Sequence, residues 1–243
     1  SSLLGLDTTG WFGLGMIDYR GGEYSEQPSW VASMLQKTYP DYQVFSYEDS
    51  LLVLSFCKER HVERRKEDFE KLVAFCREMK CTAYASDTFE HLRNLRFAFT
   101  QTRIARSYKS CIDLEMRPLD NIDSRRVFYF GDALAYCCLD GREIDPDLWS
   151  FCMDHTILDD IVAAEPGHSV SDVKLLYCYL FNERKTTPTA QHLHMHRNNV
   201  LYRIGSIEKR FGIDLGQFGT RERLISCYRY KILASNKFRQ LLV

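Results

Sequence analysis

No run of 18 apolar residues occurs anywhere in the 243-residue chain, which excludes a helix crossing a bilayer. The start, SSLLGLDTTG, lacks the basic head and long apolar run of a secretory leader. It reads instead as a cut edge, partway into a longer protein. There is no Cys-x-x-Cys pair, and the nine cysteines are scattered from Cys57 to Cys227, mostly among apolar neighbours. An odd number in a chain this long argues against a disulfide scaffold and for free thiols in a reducing cytoplasm. Repeats and low-complexity tracts are absent. So are a P-loop, a dinucleotide fingerprint, a Gly-x-Ser-x-Gly elbow and a metalloprotease helix. The chain therefore reads as a non-enzyme, with no catalytic residue, metal ligand or cofactor expected.

What is present is the balance of an ordinary globular protein, with 45% hydrophobic and 27% charged residues. Its length suits two domains. The formal net charge of −1 conceals a segregation. From Ser171 to the end there are 13 Lys and Arg against 5 Asp and Glu, whereas the preceding residues hold 19 against 28. A basic end on an acidic body is the footprint of a polyanion-binding module joined to a separate partner domain.

Along the chain, Gly10 to Tyr19 reads as a strand bounded by glycines. Pro28 opens a helix that Pro40 stops. Tyr42–Tyr47 and Leu51–Phe56 form a hairpin signal around Glu48-Asp49-Ser50. A helical stripe runs from Glu67 to Met79, then a strand from Cys81 to Ala85. A long helix is expected from Thr88 to about Lys109, with Ser86 or Asp87 as its cap. Val127–Phe130 is a further strand, with Gly131-Asp132 after it. This order predicts an α+β sandwich over residues 1–140, with helices on one face of a mixed antiparallel sheet. Residues 141–170 read as a helical linker, with helical segments from Leu148 to Ala164 and the break at Glu165-Pro166-Gly167-His168-Ser169.

From residue 171 to 243 the pattern is all-helical. Ser171 starts a helix carrying Leu175, Leu176, Tyr179 and Leu180. Thr187-Pro188 reads as a cap followed by a first-turn proline for a short second helix. After a turn at His194-Met195, a third helix runs from His196 until Gly212 ends it. At 3.6 residues per turn, Val200, Ile204, Ile207 and Phe211 share one stripe. Asn198, Tyr202, Gly205 and Lys209 lie opposite, Arg197 and Asn199 stand at the helix start, and Arg203 is on a flank. Asn pairs with an adenine edge, Arg with guanine or phosphate, and Tyr reaches the backbone, so such a helix suits a major groove.

The run TAQHLHMHRNNVLYRIGSIEKRFGIDL resembles the helix-turn-helix signature of the PucR family, the purine catabolism and sugar diacid (CdaR-type) regulators. Ala190, Leu193, His196, Arg197, Asn198, Tyr202, Arg203, Ile207, Gly212, Asp214 and Leu215 match it, while Asn199 stands where the family usually has Thr. The segment TRERLISCYRYKIL is similar to the family's closing helix. The resemblance implies a sequence-specific transcriptional regulator that binds double-stranded DNA through His196, Arg197, Asn198, Asn199, Tyr202, Arg203 and Lys209. It also implies a homodimer or higher homo-oligomer, a small-molecule effector and a cytoplasmic location. For residues 1–140 it implies a degenerate GGDEF-like, ferredoxin-like domain that senses or dimerises. At the hairpin, Tyr47, Glu48, Asp49, Ser50 and Leu51 stand where a cyclase has Gly-Gly-Asp-Glu-Phe, so its metal chemistry is lost. The alternative is a nucleotide-binding sensor or cyclase-like enzyme built on that domain.

Four further features read as structural. His192, His194 and His196 alternate, but on a helix followed by a turn they do not converge on a metal. Vicinal Cys137-Cys138 fits core or interface packing better than a strained disulfide. The mixed charges from Lys58 to Lys71 suit a solvated face, and Trp11-Phe12 suits a dimer contact.

Overall fold

The computed structural model describes residues 9–20, 27–57, 62–116, 126–140, 145–154, 156–164 and 167–242. The chain start at 1–8, positions 58–61 of the charge run and Glu165-Pro166 of the expected linker lie outside them. The chain divides into two compact units, Ser1–Arg142 and Glu143–Val243. No described helix is long and apolar enough to cross a membrane.

The first unit begins with β1 (Thr9–Asp18), α1 (Pro28–Thr38), the hairpin β2 (Gln43–Tyr47) and β3 (Ser50–Cys57), α2 (Val62–Glu78) and β4 (Thr82–Ala85). It continues with β5 (Phe89–His91), a 3-10 turn (Leu92–Asn94), α3 (Leu95–Ser107), α4 (Lys109–Met116), β6 (Val127–Tyr129) and α5 (Phe130–Leu139). The sheet order is β2-β3-β1-β4-β6, with β5 also on β1. The β2–β3, β1–β3 and β1–β4 pairs are antiparallel and β4–β6 is parallel. Two β-α-β units thus interleave, each laying its strands on either side of a strand from the other.

The alternation of side chains explains the layers. Ile17, Val53, Ala83 and Val127 point to one face, where Val31 and Leu35 of α1, Phe75 and Cys76 of α2 and Met79 just after it cover them. Their neighbours Met16, Tyr84 and Phe128 point to the other, where Ala105 of α3, Ile112 of α4 and Ala133 of α5 pack. Burial there pushes the Tyr84 hydroxyl up to about 12. Helices therefore cover both faces, which corrects the one-faced sandwich expected from the order of elements.

The expected helix from Thr88 also starts late. Phe89 is taken by the sheet, paired with Phe12 of β1 and stacked on its ring at 5.6 Å. Ser86 caps no helix; its hydroxyl accepts from the Leu14 amide and donates to the Asp87 carbonyl. The strand read as Val127–Phe130 hands over to α5 at Phe130, so Gly131-Asp132 lies in a first helical turn. At the hairpin, Tyr47 pairs with Ser50 across Glu48-Asp49. Glu48 takes the left-handed conformation at φ 49°, and Arg20 donates to the Asp49 carboxylate at 2.7 Å.

The second unit contains α6 (Pro146–Asp154), α7 (Ile157–Ala163), α8 (Asp172–Phe181), α9 (Thr186–His192), α10 (Arg197–Phe211), α11 (Phe218–Ala234) and α12 (Asn236–Leu242). Its core draws on all but the first of these, from Leu158 and Ile161 of α7 to Phe238 of α12. Trp149 of α6 meets Tyr230 of α11 edge-on. Lys231 of α11 donates to Asp159 at 2.8 Å, and Asp159 also accepts from the Thr156 amide, closing the first turn of α7. The segment expected as a helical linker contains α6 and α7, and the second unit begins at Glu143.

Candidate nucleic-acid interface

The local chemistry of α8 to α10 follows from a few caps. Ser171 caps α8, its hydroxyl accepting from the Lys174 amide at 3.1 Å. Two consecutive left-handed residues, Glu183 and Arg184, turn the chain into α9. That helix starts at Thr186, so Pro188 sits inside its first turn rather than opening it. Its C-cap is Leu193, and His194 at φ 52° reverses the chain. His196 then caps α10, with Nδ1 accepting from the Asn198 amide at 3.2 Å. Gly212 ends α10 in the left-handed conformation at φ 58°.

The apolar stripe predicted for α10 is the buried one: Val200, Ile204, Ile207 and Phe211 all belong to the core of the unit. Ala190 of α9 and its C-cap Leu193 meet it there, as do Val173 and Leu176 of α8. Tyr228 of α11 closes the far side, fully buried and donating to the Val173 carbonyl at 2.8 Å. Burial raises its hydroxyl well above the usual tyrosine range.

Seven side chains were expected at the interface, and the structure sorts them. His196, Arg197, Asn198, Asn199, Tyr202 and Lys209 are exposed together on α10 and its cap, with Tyr202 77% accessible. Arg203 is the exception, and here the sequence expectation is corrected. It is 6% exposed. Its Nε and Nη2 both donate to Asp172, and Nη2 also donates to the Val170 carbonyl at 2.8 Å. Arg210, about two turns further along the helix and exposed, donates to the other Asp172 oxygen at 2.8 Å. One buried carboxylate therefore ties the start of α8 to two turns of α10 and sets the rotation of that helix. Asp172 had no sequence signal of its own beyond its place in the first turn of α8, because both of its partners lie more than 30 residues away.

The loop after α10 is held in the same manner. Arg184 and Arg221 both donate to the Leu215 carbonyl, and Glu208 accepts from the Leu215 amide at 2.8 Å. Between α9 and α10 lies an open cleft of about 480 Å³, lined by Lys185, Thr186, Thr187, Pro188, Arg197 and Leu201. Among the described residues no group of three His, Cys, Asp or Glu side chains is arranged to hold a metal. His192, His194 and His196 are all exposed, and His196 spends a ring nitrogen on its cap.

The arrangement is a tri-helical helix-turn-helix: α8 as scaffold, α9 crossing, and α10 presenting a polar, cationic face above a dry one. Comparisons with known proteins agree with it. The crystal structure of a regulator of polyketide synthase expression from Bifidobacterium adolescentis aligns with a TM-score of 0.53. That alignment covers 96% of this chain and 84% of the other at 14% identity, a likeness of fold alone. The proline-responsive transcriptional activator PutR of Bacillus subtilis (strain 168) is 40% identical over 62 residues. This stretch is 26% of the present chain and only 15% of the length of PutR. Residues 173–227 match the family model of the PucR C-terminal helix-turn-helix domain, so the segment that builds α8, α9, α10 and most of α11 is similar to that domain.

Proposed function

We propose that this chain is a sequence-specific transcriptional regulator that binds double-stranded DNA, with α10 as its recognition helix. The carrying observation is the contrast between the two sides of α10: an aliphatic stripe locked in the core, and His196, Arg197, Asn198, Asn199, Tyr202 and Lys209 exposed opposite it. Residues at the start of a recognition helix make most base contacts, so Arg197, Asn198 and Asn199 read bases. Tyr202 and Lys209 hold the phosphate backbone. Arg203 is withdrawn from this set and acts on the helix's position instead.

The regulator works in the cytoplasm as a homodimer or higher homo-oligomer, and a small-molecule effector controls it. Control by a small molecule is supported by the name of one relative, a proline-responsive transcriptional activator. The unit Ser1–Arg142 is the sensing or dimerising part, a degenerate cyclase-like domain. Its interleaved strand order supports this, and Asp49, the carboxylate kept at a cyclase metal position, pairs with Arg20 at the surface.

The test is selection of genomic DNA fragments by the whole chain at two salt concentrations, followed by sequencing. A repeated motif is expected, bound more weakly as salt rises. Arg197→Ala and Asn198→Ala are each expected to abolish preference for that motif while leaving the melting curve unchanged. Retention of full preference by both variants would refute α10 as the reader. Recovery of no motif by the parent protein would refute specific DNA binding.

A further inference from the structure

The exposed side of α10 is not wholly polar. Leu201 lies there half exposed, at 50%, four residues after Arg197 and four before Gly205. Residues at this spacing follow one another along the same edge of a helix. The core takes no part in placing a leucine here, because the stripe from Val200 to Phe211 already fills it. Leu201 instead lines the cleft between α9 and α10 together with Pro188, Lys185 and Arg197.

A single exposed leucine is common on protein surfaces. The second observation is Gly205, one turn along. A methyl group added at its Cα would meet nothing within 4 Å. Glycine weakens a helix interior relative to alanine, and nothing in this unit's own packing requires it. What a glycine on an exposed helix face does allow is the close approach of another molecule's surface. The neighbouring cations Lys185, Arg197 and Lys209 give that molecule's charge as negative. In the major groove the apolar group on a base edge is the C5-methyl of thymine.

We infer that Leu201 is a specificity-determining residue that packs on a thymine C5-methyl next to the base pair read by Arg197 and Asn198. Gly205 lets the DNA come close enough for that contact. The inference rests on α10 being the recognition helix. It adds an apolar component to a readout that otherwise consists of hydrogen bonds and charge.

The experiment begins with the whole chain and a random-sequence duplex library, from which a preferred site is selected. Each dT of that site is then replaced singly by dU, which removes the methyl and leaves the base pairing intact. For the parent protein, one replacement per half-site is expected to weaken binding about threefold to tenfold, the worth of one to two buried carbon groups. For Leu201→Ala, dT and dU at that position are expected to bind equally. Alanine is a strong helix former at an exposed position, and an unchanged melting curve is the control for folding. A selected site at which no dU weakens the parent, or at which Leu201→Ala keeps the parent's discrimination, overturns the role of Leu201 and leaves α10 as a DNA reader. If the library yields no preferred site, the recognition-helix reading itself falls, and this inference with it.

Discussion

Replacing Gly205 by alanine should move two properties of this protein in opposite directions. In the free protein the new methyl group has open space, with no atom within 4 Å. Position 205 lies in the interior of α10, where alanine is favoured over glycine by about 0.5–1 kcal/mol. The unit that contains it, Glu143–Val243, is about 100 residues long. At that size each kcal/mol is worth roughly 4–8 °C, so its melting should rise by about 2–8 °C. On DNA the same methyl stands on the approach side of the recognition helix. Affinity for a selected duplex should drop at least about tenfold, or ~1.4 kcal/mol. Thermal denaturation followed by circular dichroism gives the first quantity, and fluorescence anisotropy with a labelled duplex gives the second. A variant that is more stable and binds as tightly as the parent refutes the claim that DNA approaches α10 closely at this residue. A less stable variant refutes the premise that the glycine answers no demand of the fold.

Two other perturbations probe what holds α10 in place. Asp172→Ala strands the buried Arg203 guanidinium without its carboxylate and should cost about 3–5 kcal/mol in chemical denaturation; a loss under 1 kcal/mol would mean that Asp172 does not fix α10. Replacing the pair together, Asp172→Leu with Arg203→Met, should recover most of that stability, and failure to recover would point to the Val170 carbonyl as the main partner. At α7, Asp159→Ala removes both the cap on Thr156 and the partner of Lys231, whereas Lys231→Ala removes only the ion pair. The carboxylate is more than a third exposed, so the lysine variant should lose no more than about 1 kcal/mol and the aspartate variant about 1 kcal/mol beyond that; equal losses would argue against the cap.

The helix-turn-helix was legible because its signals are local. Ser171 as a helix start, Gly212 as a stop and the spacing from Val200 to Phe211 all act within a turn or two of the residue concerned, and each stands where it was read. The errors came where distant contacts decide. Phe89 shares helical spacing with Leu92, Leu95 and Phe99, yet pairing with β1 and stacking on Phe12 take it into the sheet. Arg203 sits close to the edge of the buried stripe on a helical wheel. What turns it inward is a carboxylate 31 residues away, which no periodicity reveals. The second helical layer of the first unit did leave a trace: apolar side chains occupy both parities of β1, β4 and β6, as in Met16-Ile17, Ala83-Tyr84 and Val127-Phe128. A strand apolar on both sides is one covered on both faces. Leu201 was passed over because a search for polar DNA contacts ignores an aliphatic residue among them.

The fate of the arginines bears on how the DNA-binding end should respond to salt. Counting charge from Ser171 onward gives an excess of eight positive groups, and a slope built on that number would be steep. Several of these cations already have work within the unit. Arg203 and Arg210 share Asp172, Arg184 and Arg221 hold the carbonyl of Leu215, and Lys231 reaches Asp159. Three cations stand on or beside the face of α10 that would meet DNA: Lys185, Arg197 and Lys209. Of these, Lys185 pairs only with the exposed Glu183, a contact that water and salt weaken readily. Each phosphate neutralised contributes about −0.9 to the slope of log K against log salt. With Arg197 reading a base, Lys185 and Lys209 at phosphates give a slope of about −2 for one chain on one half-site, against about −7 for the full excess. Titrating a selected duplex at a series of salt concentrations distinguishes the two. A slope near the larger value would mean that cations beyond the face of α10 also reach phosphate, either others of the 13 basic groups or the arginines now held by carboxylate and carbonyl partners. Where Arg203 and Arg210 are among the groups that move, the rotation of α10 on DNA differs from the one that Asp172 fixes in the free protein.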